Sequence, residues 1–75
     1  MRVGDLVKFS NSSGWVGVRG KIGIVVAINH PRGWPQQGMW REWDCLIDGK
    51  VVEGFDVRLD DPSYLERHGV EVVCG

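Results

Sequence analysis

Apolar residues in the middle of the chain follow strand-like patterns. Residues 22–28 include three consecutive β-branched residues, which disfavour helix and favour strand. Two more strands are predicted over residues 40–47 and 50–55. The Asp48-Gly49 pair between them is the strongest short-range signal for a hairpin, because both residues tolerate positive φ. We therefore expect the fold to be organised around residues 21–55.

The position of the turn also predicts which strand face is buried. Without a bulge, the facing pairs run outward from the turn as Ile47 with Lys50, Cys45 with Val52 and Trp43 with Gly54. The set of Trp43, Cys45 and Ile47 is the more apolar one, so it should face the core. The opposite face would then place Asp44 across from Glu53.

The remaining segments predict short elements at both ends. Residues 6–9 read as a strand, whereas residues 15–18 fit either the sheet or a loop tip. Residues 57–59 fit either a further strand or a tight turn. Asp61 is the expected N-cap of a short helix that reaches residue 68, with Pro62 at its first position. A last strand is predicted over residues 70–73.

The expected core depends on the strand over residues 22–28, whose two faces are both apolar. Periodicity alone does not choose between them, and a bulge near Gly23 would shift the register. We assign the even-numbered residues to the inside. The predicted core is Val7, Phe9, Ile24, Val26, Trp43, Cys45, Ile47 and Val52.

The size and composition of the chain favour one small all-β domain. Seventy-five residues suffice for a single domain, 1–75, and eleven Gly with three Pro imply many turns and short elements. Four Trp would help to fill a small core. We predict a mostly antiparallel, five-stranded barrel with one short helix before the last strand.

Charge and targeting signals set further expectations. The net charge is −1, so nothing draws the whole chain to nucleic acid or to anionic membranes. The apolar runs are shorter than the ~18 residues of a membrane span, and residues 1–5 resemble neither a signal nor a transit peptide. Cys45 and Cys74 do not suggest a disulfide framework. A soluble protein of a reducing cytoplasm is expected, with Cys45 buried.

The sequence predicts no catalytic chemistry. His30, His68, Cys45 and Cys74 lack the spacing of metal ligands, and the serines of residues 10–13 have no base that the sequence places beside them. The carboxylates of residues 44–61 read as a solvated surface. We therefore expect no enzyme activity, no cofactor, no metal and no small-molecule substrate.

Three motifs resemble a known class of small barrels. They are the opening MRVGDLVK, the strand GKIGIVV from Gly20 and the hairpin CLIDGKV from Cys45. Together they resemble SH3-like barrels of the KOW type, and more closely the short SH3-like proteins of tailed bacteriophages, over about residues 1–59. This resemblance implies a non-enzymatic interaction module, an accessory factor or minor virion protein, located in the host cytoplasm or the virion. Unlike nucleic-acid-binding KOW domains, the chain has no basic excess.

The resemblance also implies a contact surface, because SH3-like barrels commonly bind through loops between early strands. That places it on residues 10–19 and 29–38, with Trp15 and Trp34 as anchors and Arg32 beside Trp34. Alternatively, both tryptophans cap the barrel and only stabilise it. The partner is expected to be another protein or a second copy of the chain. Nucleic-acid binding is the alternative, using the residues Arg19, Lys21, Arg32, Arg41 and Trp34.

Overall fold

Five strands, one helix and one 3₁₀ turn make up the chain in a computed structural model that describes residues 1–29, 40–58 and 60–74. The strands are β1 (Leu6–Phe9), β2 (Ile22–Asn29), β3 (Trp40–Ile47), β4 (Lys50–Arg58) and β5 (Val70–Cys74). The 3₁₀ turn (Val16–Val18) precedes β2, and helix α1 (Tyr64–Arg67) precedes β5. The sheet order is β4-β3-β2-β1-β5, with antiparallel pairing throughout. The predicted all-β fold is confirmed, with the sheet curled into a half-barrel.

The hairpin between β3 and β4 forms at the predicted turn. Asp48 and Gly49 have φ values of 53° and 76°, the left-handed backbone that a two-residue hairpin turn requires. The pairs closest to the turn are those predicted, as far as Cys45 with Val52. Beyond that point the prediction is wrong, because Trp43 pairs with Phe55 and not with Gly54. One extra residue bulges from β4 there, where Gly54 has a φ of 88°.

The buried face of β2 is the reverse of the predicted one as far as Val26, where a bulge shifts the register and places Ile28 against the core. Gly23 and Val25 point inward, whereas Ile24 and Val26 are exposed, so their assignment to the core was wrong. The register explains this, since Val25 pairs with the buried Cys45, and facing residues share one side of the sheet. Of the remaining predicted core, Val52 is half-buried against the cluster and the others are buried: Val7, Phe9, Trp43, Cys45 and Ile47.

An aromatic stack lies at the centre of the core. The Trp43 ring stacks on Phe55, with 4.6 Å between ring centroids, and lies 6.1 Å from the nearly parallel ring of Phe9. The indole Nε1–H of Trp43 donates a 2.9 Å hydrogen bond to the Asp56 carbonyl, so its polar atom is satisfied inside the fold. Aromatic rings bury much apolar area per residue, which a small domain needs.

The C-terminal elements differ from the predicted ones mainly at their ends. Strand β4 continues to Arg58, which settles the open assignment of residues 57 and 58. The N-cap of α1 is Ser63, not the predicted Asp61, and the carboxylate of Asp61 instead accepts a 3.1 Å hydrogen bond from the Ser63 backbone N–H. The helix is a single turn that buries Tyr64 against the sheet.

Candidate functional site

Trp15, one of the predicted anchors, packs against the aromatic core. Its ring meets Phe55, Trp43 and Phe9 edge-on at centroid distances of 5.2, 6.2 and 6.5 Å, and lies 5.3 Å from the His68 ring. The residue is half-buried. Such packing agrees with the alternative prediction, in which Trp15 caps the barrel and stabilises it. Its role as a contact anchor stays a prediction.

The loop that carries Trp15 is held by a buried serine. The Ser13 hydroxyl donates a 2.8 Å hydrogen bond to the His68 carbonyl and accepts one of 3.2 Å from the Trp15 N–H. The Ser13 carbonyl accepts a 2.7 Å bond from Nε of Arg19. These bonds tie the loop to the end of α1, so Trp15 is presented in a defined position.

The other predicted binding residues, Trp34 and Arg32, lie outside the described residues, as does most of the predicted loop over residues 29–38. Their assignment as anchors therefore stays a prediction.

The described cations of the nucleic-acid alternative do not share one surface. Lys21 precedes β2 and forms an ion pair with Asp48 in the hairpin turn. Arg41 lies at the other end of the sheet, one residue beyond the pair formed by Asn29 and Glu42. Arg19 is bonded to its own loop. A stripe of cations that could follow a nucleic-acid backbone is thus not formed by these three residues.

The outer face of the sheet carries a row of apolar side chains. Leu6 pairs with Ile24, Ile24 with Leu46, and Leu46 with Val51, so the row crosses four strands. Leu6, Ile24 and Val51 are 40%, 41% and 54% exposed. Ile22 and Val26, on either side of Ile24 along β2, are exposed as well. We call these six residues the outer row: Leu6, Ile22, Ile24, Val26, Leu46 and Val51.

Acidic residues continue this face along β3 and β4. Asp44 lies two residues from Leu46 along β3, and Glu53 lies two residues from Val51 along β4. Farther along the same strands, Glu42 pairs with Asp56. Asp44 accepts hydrogen bonds from the Asn29 amide (3.1 Å) and the Gly54 N–H (3.3 Å), which hold its carboxylate at the surface.

The opposite end of the outer face is nearly balanced in charge. There Lys8 pairs across β1 and β5 with Glu71, and across β1 and β2 with Ile22 of the outer row. The outer face is therefore apolar near the β3–β4 turn and becomes acidic with increasing distance from that turn.

The outer row was not predicted from the sequence, because Ile24 and Val26 were assigned to the core. The available signal was that both faces of residues 22–28 are apolar, so one apolar face had to remain outside a single-layer core.

The described residues contain no group of three or more His, Cys, Asp or Glu side chains placed to hold a metal ion. Cys45 is a free, fully buried cysteine, as predicted, and burial raises the pKa of its thiol to about 11. At neutral pH it is a protonated thiol, which is a poor nucleophile. The side chain of Cys74 lies outside the described part of the structure.

Comparisons with known proteins found no matching family model, no matching curated protein and no matching solved structure. Within the described ranges, no helix is both long enough and apolar enough to cross a bilayer.

The buried thiol predicts a fall in stability at high pH. The Cys45 thiol ionises near its ordinary pKa of 9.0 in the unfolded chain but near 11 in the folded one. Between these values only the unfolded state releases the proton, so the free energy of unfolding should fall by about 1.4 kcal/mol per pH unit. Below the lower value the thiol should have no effect. Urea unfolding in a reducing buffer at several pH values would measure the slope.

Cys45→Ala is the control for this pH dependence. Burial also raises the pKa of Tyr64, but the variant retains Tyr64, so the difference between the two proteins isolates the thiol. Equal slopes in the two proteins would show that Cys45 does not cause the fall.

Proposed function

We propose that this chain is a non-enzymatic, SH3-like interaction module that binds a protein partner, encoded by a bacteriophage as an accessory or minor virion protein. The observation that carries the proposal is the outer row, an apolar surface that crosses four strands of the sheet. Antiparallel sheets of small domains usually turn a polar face to water. A contiguous apolar face typically marks a surface that another molecule covers.

The phage origin and the SH3-like class rest on the resemblance of the three sequence motifs to small KOW-type barrels. Fold does not by itself determine function, so the interaction role rests on the surface and the origin on the motifs. Binding through the predicted loops and binding through the outer row are both compatible with this proposal.

Nucleic-acid binding is the alternative function, and the charges on the sheet surface argue against it. The sheet surface carries Asp44 and Glu53 beside the outer row, and carboxylates repel phosphates. The described cations of that alternative are also divided between the two ends of the sheet.

A salt titration with fluorescent single-stranded and double-stranded oligonucleotides would test the proposal. We expect no binding at 20 µM protein and about 50 mM salt, where non-specific phosphate contacts are strongest. Micromolar affinity that falls steeply with added salt would overturn the proposal in favour of a nucleic-acid-binding protein. Arg19→Gln and Lys21→Gln should then weaken the binding.

A further inference from the structure

We propose that the outer row, with the acidic residues beside it, docks a basic amphipathic segment of a partner protein. The segment would place an apolar stripe on the row and Lys or Arg side chains over Asp44 and Glu53. This inference rests on the proposed function and adds to it the binding surface and the chemistry of the partner.

The size of the row supports a docking role. Five of its six side chains are between 38% and 59% exposed, so the row forms a contiguous apolar patch, and the largest such patch of a monomer is often functional. Specific interfaces bury about 800 Å² on each partner, commonly as an apolar centre with a polar rim. The row would supply the apolar centre of such an interface, and the neighbouring carboxylates part of its polar rim.

The charges on the outer face select the kind of partner. Asp44, Glu53, Glu42 and Asp56 all lie at one end of the row, where Arg58 lies two residues beyond Asp56 and pairs with Asp60. Lys8 at the other end faces Glu71. In the described part of the chain, the three ion pairs formed by Lys21, Arg58 and Arg67 involve other carboxylates: Asp48, Asp60 and Asp61. Such a face favours a cationic partner and repels anionic lipid or nucleic acid.

The same charges disfavour a second copy of the chain as the occupant. Two copies stacked through the outer row would bring ten carboxylates and two lysines of this face, counting Glu71 and Lys8, into one interface. Unpaired like charges close together weaken such a contact. A partner with a complementary basic end avoids this repulsion.

The test uses a synthetic helical peptide of about 18 residues, with leucine on one face and lysine on the other. A peptide of the same pattern with glutamate in place of lysine is the counter-probe. We expect micromolar binding of the lysine peptide by fluorescence anisotropy, and at least tenfold weaker binding of the glutamate peptide. Amide shifts in ¹⁵N spectra should change mainly on β2, β3 and β4 around the outer row.

Matched substitutions separate the outer row from the rest of the surface. Val51→Thr should weaken the lysine peptide several-fold, whereas the identical change Val16→Thr, at a residue 67% exposed in the 3₁₀ turn, should not. Glu53→Gln should weaken binding and flatten its salt dependence, while Glu66→Gln on α1 should have no effect. Thermal unfolding of each variant would confirm that it is folded.

Several outcomes would overturn the inference. They are no binding of the lysine peptide at 1 mM, equal affinity for both peptides, or equal effects of the matched variants. Shifts confined to residues 10–19 would move the binding surface to the predicted loop and leave the proposed function intact. A concentration-dependent dimer abolished by Ile24→Lys would assign the row to a second copy.

Discussion

Replacing Gly23 by alanine should lower the free energy of unfolding by about 3 kcal/mol, a large share of the stability of a small domain. Gly23 is buried on the inner face of β2, beside the neighbouring strand β3. A Cβ there would overlap Sγ of Cys45 and lie 2.7 Å from Cγ1 of Ile47 and 3.0 Å from the Leu46 carbonyl oxygen. The carbonyl belongs to the backbone and can give way by only a few tenths of an ångström, so the side chains of Cys45 and Ile47 must shift.

Gly17→Ala is the control for this substitution. Gly17 is exposed in the 3₁₀ turn, and a Cβ added there meets no heavy atom within 4 Å. Urea unfolding should therefore show little change for Gly17→Ala and a large loss for Gly23→Ala. Equal stability of the two variants would contradict the close packing of β2 on β3.

A double variant tests which contact dominates. Adding Cys45→Ala to Gly23→Ala removes the sulfur that the new methyl group overlaps, so the two losses should be less than additive. Strict additivity would mean that the methyl group is accommodated without pressing on Cys45.

Local turn chemistry explains why the hairpin could be predicted from the sequence. Asp48 and Gly49 belong to residue types that tolerate positive φ, which both adopt here, and the turn then sets the pairing of the first residues on each side. The bulge farther along β4 also had a local signal, because an isolated Gly54 within a strand pattern is typical of a bulge. The predicted pairing of Trp43 with Gly54 assumed no bulge and was wrong for that reason.

The buried face of β2 could not be predicted in the same way. Ile22, Ile24 and Val26 on one face are more apolar than Gly23 and Val25 on the other, so hydrophobicity favoured the wrong side. What decides the outcome is the space between β2 and β3, where only a residue without a side chain fits opposite Cys45 and Ile47. That space exists only after the strands have paired.

The same error concealed the outer row from the sequence analysis. Ile24 and Val26 were predicted as core residues, whereas the predicted contact residues, Trp15 among them, followed from the resemblance to SH3-like barrels. The position of Trp15 depends on Ser13 and His68, which lie far apart in the chain and meet only in the fold. Hydrophobic periodicity along the chain does not predict a contact between residues that are so distant in sequence.

The second large effect is expected for Trp15→Ala, which should lower the free energy of unfolding by about 3 kcal/mol, the lower end of the range for buried tryptophan. The ring contacts Phe55, Trp43 and His68, and the loss of these contacts would leave a cavity above the aromatic stack. For a domain of this size, the melting temperature should fall by more than about 10 °C.

Trp15→Phe and Val16→Ala complete this experiment. The phenylalanine variant retains a ring against Phe55 and should recover part of the loss, whereas Val16→Ala changes an exposed neighbour and should leave the melting temperature nearly unchanged. A contact anchor that stands away from the core would give a different result, with Trp15→Ala melting within about 2 °C of the unmodified protein. That result would favour Trp15 as a binding residue, whereas the expected loss would make it a cap of the half-barrel, whose packing orders the loop over residues 10–19.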